Sequence, residues 1–223
     1  MNTARASGQE EGQVVHDLAA TYHIEVLKDK YWSVEELRLL QEAVTDLANA
    51  MGGAGEFTRN IGSITIRQVE TKYRGLASKR GIKFTASSVS FDKWTVVHEL
   101  GHVWDAKSGW RLSRTLQAYT GGRTNWLARL IKKWRRQCDE DCRWPGCNRF
   151  GYFYAGTPPA GSDRNFNRKE DFAESVTAYV YPTVAQSRVE RFKDDDDYGD
   201  LLYYSDYMQT KRWAFVDGLV RSR

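Results

Sequence analysis

The chain has 223 residues, 41% of them hydrophobic and 28% charged, a balance that fits one sizeable globular core or two small lobes sharing one. No apolar run approaches the eighteen or so residues that a membrane-spanning helix needs, which argues against a membrane protein. The net charge of +4 is unevenly placed: residues 111–149 hold ten Lys or Arg against three acids, so this stretch carries +7 and the rest of the chain −3.

Taken in chain order, residues 1–15 read as a disordered tail, polar and without the apolar core of a secretory signal. A cytoplasmic protein is the first expectation, and an excerpt of a longer exported chain the other. His16 and His23 lie in an apolar stretch, where packing or surface exposure accounts for them. Ser33 followed by Glu36 is a capping box. Val34, Leu37, Leu40, Val44 and Leu47 then recur at helical spacing until Gly52 and Gly53, which predicts an amphipathic helix. Alternating β-branched residues over 61–69 predict a strand, and residues 82–91 a second. Further helices are expected over 94–107, 125–137, 169–180 and 201–220, the third of them stopped near Pro182. Residues 138–163 look irregular, and Asp194 to Asp197 read as an exposed acidic turn without the alternating ligands of a calcium loop.

The basic stretch contains Trp126, Trp134 and Trp144, a composition that also occurs where nucleic acid is bound. A solvated helical insertion with a basic outer face explains it more simply, so no nucleic-acid partner is expected. Cys138, Cys142 and Cys147 are odd in number and lack a nearby histidine. They read as one local disulfide plus a free thiol, or as three reduced thiols, rather than a second metal site.

The sharpest signal is His98-Glu99-Leu100-Gly101-His102. Two histidines four residues apart on a helix share a face and can converge on one ion, while Glu99 beside the first can relay a proton from metal-activated water. Only four histidines occur in the chain. A chance HExxH is expected in roughly half a percent of chains of this composition, so metal binding is the better reading. Val97, Leu100 and Trp104 are expected to anchor the other face of the helix in the core, and Gly101 to permit close approach of a neighbouring element.

A catalytic zinc takes three protein ligands and leaves one position open. Asp105 and Ser108 occupy the glycine and histidine positions of the metzincin pattern, which excludes a third histidine there. The GTxD pattern is absent as well, since Gly156-Thr157 runs into Pro158-Pro159. Glu170 and Glu174, in the segment EDFAES, lie four apart on one helix face, so that one carboxylate can bind zinc while the other orients a ligand histidine.

HELGHVWD followed by EDFAES resembles the gluzincin zinc metallopeptidases, most of all the anthrax lethal factor catalytic domain family, from about residue 95 onward. The resemblance implies that Glu170 is the third zinc ligand and that Glu174 accepts a hydrogen bond from His98. It also implies an oxyanion-stabilising tyrosine ahead of the glutamate helix, for which Tyr154 is the candidate and Tyr152 the second choice. The expected fold is α+β and zincin-like, with two lobes. An upper lobe of about residues 16–108 would hold a small mixed sheet and the HELGH helix, and a mainly helical lower lobe of about 109–223 the glutamate helix. The expected function is zinc-dependent peptide-bond hydrolysis by a monomer, with one catalytic zinc, Glu99 as general base and acid, and a peptide laid along an edge strand in the cleft between the lobes. The alternative is a zinc-binding regulatory or nucleic-acid-associated module with little turnover.

Overall fold

The computed structural model describes residues 2–27, 32–86, 91–124, 152–153, 167–192 and 207–221. The helix expected over 125–137, the three cysteines, Tyr154 and the acidic run at 194–197 lie outside the described residues. The architecture is mixed α and β, mostly helical with a small mixed sheet. The chain divides into two compact units, one running to Lys107 and the other from Ser108 to Ser222.

The first unit begins with α1, Asn2–Tyr22, and this corrects the disordered tail expected over residues 1–15. Apolar residues are sparse at its start, which hid the helix from the sequence pattern. Val14 and Leu18, one turn apart, are nonetheless buried, and α1 packs on the elements that follow it. Arg38 Nε donates to Glu10 Oε1 at 2.7 Å, tying the polar half of α1 to the next helix. That helix, α2 (Val34–Met51), has the expected capping box: Ser33 Oγ accepts from the Glu36 amide, and the Glu36 carboxylate accepts from the Ser33 amide. Its apolar face, from Leu37 to Met51, is buried at helical spacing. A short helix, α3 (Ala54–Ile61), follows and buries Phe57 and Ile61.

Four strands make the sheet: β1 (Ile24–Val26), β2 (Ile64–Val69), β3 (Gly75–Ser78) and β4 (Gly81–Thr85). Their order is β1-β2-β4-β3, with β1 and β4 parallel to β2 and β3 antiparallel to β4. The two expected strands are β2 and β4, each shorter than the sequence pattern suggests. Side chains alternate as the pleat demands, so Ile64, Ile66, Ile82 and Phe84 face the core. Gln68 continues that inward row, and neither atom of its buried amide has a hydrogen-bond partner among the described residues. Gly81, at φ 156°, starts β4 where a side chain would meet the Thr65 backbone. The unit closes with α4, Lys93–Lys107, which packs on α2, α3, β3 and β4.

In the second unit, α5 (Arg111–Thr120) is followed by a two-stranded ribbon of β5 (Arg123–Thr124) and β6 (Tyr152–Phe153). Next come α6 (Arg168–Val180), α7 (Pro182–Phe192), a 3₁₀ turn (Tyr207–Gln209) and α8 (Lys211–Arg221). Helices α5, α6 and α8 pack on one another. Helix α6 is the centre of this core: every residue from Asp171 to Ala178 is buried. Helix α6 stops at Val180, just ahead of Pro182 as expected, and Pro182 opens α7, because the first helical turn has no use for the missing amide hydrogen. Among the described residues no helix is long and apolar enough to cross a membrane.

Candidate metal centre

Helix α4 starts at a cap. Asp92 Oδ1 accepts from the Thr95 amide at 2.7 Å, satisfying a free donor of the first turn and adding negative charge at the positive end of the helix dipole. The helix is then buried nearly all round, and Val97, Leu100 and Trp104 are in the core as expected. From Trp94 to Ala106 eleven residues are buried, and the two that are not are His98 and His102. Their rings stand with centroids 4.7 Å apart, nearly perpendicular. A helix that between its two terminal lysines opens to solvent only at two imidazoles has its polar surface where a ligand would need it.

Glu99 follows His98 directly on the same helix. It is 7% exposed, and its carboxylate lies directly against β3, where Gly75 leaves space for it.

Helix α6 starts at Asn167, whose side chain accepts from the Lys169 amide at 2.8 Å. The Lys169 ammonium sits 3.4 Å from the centre of the Trp110 ring, a cation–π contact that pins the first turn. Glu170 comes next and is part exposed, whereas Asp171 is fully buried. Arg212 on α8 holds Asp171 with both arms of its guanidinium, Nε to Oδ1 at 2.6 Å and Nη2 to Oδ2 at 3.0 Å. One turn further along α6, Glu174 is buried at 6% exposure. Ser175 donates to the Asp171 carbonyl, and the Tyr207 hydroxyl donates to the Ser175 carbonyl at 2.7 Å.

One nitrogen from each of His98 and His102 and one oxygen of Glu170 all lie within 4.8 Å of one another. Among the described residues this is the one group of three such donors close enough to share an ion. Donors about 2.0–2.1 Å from a tetrahedral zinc stand about 3.4 Å apart, a spacing within the 4.8 Å limit of this group. Two imidazoles and a carboxylate are a donor set that catalytic zinc takes, and they leave a fourth position open. The residues fit the metal.

Of the residues singled out from sequence, His98, His102 and Glu170 are brought together, while Tyr154 lies outside the described residues. Glu99 and Glu174 are both buried acids on the two helices that supply the donors. Two further residues were not foreseen. Gly75 belongs to a strand too short to show a period, and Arg212 meets Asp171 across 41 positions of chain, beyond the reach of any local pattern. No family model, no curated protein and no solved structure matches the chain.

Proposed function

We propose that the protein is a zinc-dependent endopeptidase with a zincin-like catalytic domain, its metal held by His98, His102 and Glu170. The observation that carries this reading is the convergence of those three donors, on a HExxH helix whose only part-exposed residues along its central thirteen are the two histidines. A zinc ion held there supplies Lewis acidity toward water and toward a peptide carbonyl, which brings the ionisation of water toward neutral pH. Glu99 takes the proton from the attacking water and delivers it to the leaving amine. Glu174 accepts a hydrogen bond from a ligand histidine, His98, and so fixes its tautomer and orientation. Tyr154 donates its phenol hydrogen to the oxygen that gains charge as the carbonyl is attacked. The substrate is an extended peptide. The strand β3 ends the described sheet beside Glu99, and backbone pairing along its outer edge would present the scissile bond to that carboxylate.

The test is metal analysis and peptide-library cleavage of the wild type beside Glu99→Gln. Both are expected to hold about one zinc per chain, and the variant to lose turnover by a factor on the order of 10² to 10⁴. Full activity in Glu99→Gln would sink the mechanism. A wild type that holds zinc and cleaves nothing would leave a zinc-binding regulatory module in its place.

A further inference from the structure

We propose that Gly75 is a positioning residue for Glu99, its missing side chain being what lets the carboxylate stand where it does. The inference rests on the reading of Glu99 as the proton carrier. Gly75 opens β3, and a glycine gives up more freedom on folding than other residues and offers nothing to pack, so its presence calls for a cause. The backbone at Gly75 supplies none. Its φ is not in the left-handed region, unlike that of Gly81 in the neighbouring strand, and any residue can adopt it.

The cause lies across the strand. A Cβ built on Gly75 stands 2.5 Å from Glu99 Cδ and 2.6 Å from Cγ, and nearer still to Oε1, whereas real Cβ atoms essentially never approach other atoms within 3.0 Å. At Gly55 and Gly218, both within helices, the same construction meets open space. Something must yield at residue 75, and the helix backbone is poorly placed to do so. Leu100 and Val103 beside Glu99 have no exposed surface, and close-packed interiors resist displacement. The yielding part is the Glu99 side chain, which would turn to another rotamer and carry its carboxylate away from the reacting water. A displacement on the order of 1 Å at a catalytic group is enough to cost about a hundredfold in rate.

Four proteins test the pairing: wild type, Gly75→Ala, Glu99→Ala and the double variant, all melted in metal-free form. Gly75→Ala is expected to lower the melting temperature in the wild-type background. In the Glu99→Ala background, where the carboxylate is gone, the same change should leave it unchanged or raise it, because alanine restricts the unfolded chain. Equal lowering in both backgrounds overturns the proposal, and so does failure of the double variant to fold. A single variant that does not fold beside a double variant that does supports it. In zinc-loaded protein, Gly75→Ala should keep about one zinc per chain and a KM within about twofold, while kcat falls about ten- to a hundredfold. An unchanged kcat against an active wild type overturns the positioning role. The melting cycle needs no turnover, so failure of the peptidase reading and failure of this one are separable.

Discussion

Glu170 is part exposed near the start of α6, Asp171 beside it is fully buried against Arg212, and Glu174 one turn on is buried as well. Asp171 is spoken for, its two oxygens being held by the guanidinium. Glu170 has the access a metal ligand needs, and Glu174 the shelter suited to holding a neighbouring group in place. Their substitutions should therefore rank differently. Glu170→Ala removes a donor, so zinc is expected to be lost or bound far more weakly. Glu174→Ala removes only a partner of a donor, and zinc affinity should fall about 10- to 100-fold. Zinc titration with a competing chelator measures both, and the reverse ranking would shift the ligand by one turn of the helix.

At the scale of elements, α6 is a helix with polar groups on a fully buried surface, and its stability depends on their being matched. Arg212→Met leaves Asp171 as a buried charge without its partner and should cost about 3–5 kcal/mol in denaturant unfolding. Replacing both, as Asp171→Leu with Arg212→Met, should recover most of that loss, since two desolvated charges are exchanged for apolar packing. If the double variant is as unstable as the single one, the pair is worth more than its desolvation cost. The same matching explains what was legible in the sequence. Helices α2, α4 and α6 were readable because their signals are local: a capping box, a HExxH spacing and a pair of glutamates four apart. Helix α3, strand β3 and the ribbon of β5 and β6 are too short to show a period, and their form is set by partners distant in the chain. The proposed ligands lie within motifs, whereas Gly75, which lies against Glu99, and Arg212, which holds Asp171, do not.

For the molecule as a whole, the tyrosines around α6 set an alkaline limit. Burial pushes the Tyr207 phenol well above its ordinary value. Tyr179 is raised too, first by burial and then by its hydrogen bond to Asp217. An unfolded tyrosine ionises near pH 10. The folded chain holds these protons more tightly, so the stability they contribute is complete below about pH 10 and is lost as the pH rises beyond it. Phenolate absorbance and circular dichroism, followed together, should show Tyr207 ionising only as the fold is lost. A folded chain with Tyr207 ionised near pH 10 would contradict this.

The Asp171–Arg212 pair also has a consequence in time. A ribosome releases Asp171 forty-one residues ahead of the guanidinium that neutralises it. Until then the carboxylate has no reason to leave water, and the helix that carries Glu170 has no anchor at that point. Glu170, the proposed third ligand, is thus expected to settle late in synthesis, well after the HELGH helix has emerged. A nascent enzyme of this design would be held inactive while its own chain is still unfolded and cleavable. Chains truncated after residue 206 should therefore bind zinc more weakly than the full-length protein, and a truncated chain with undiminished affinity would show that α6 docks without Arg212.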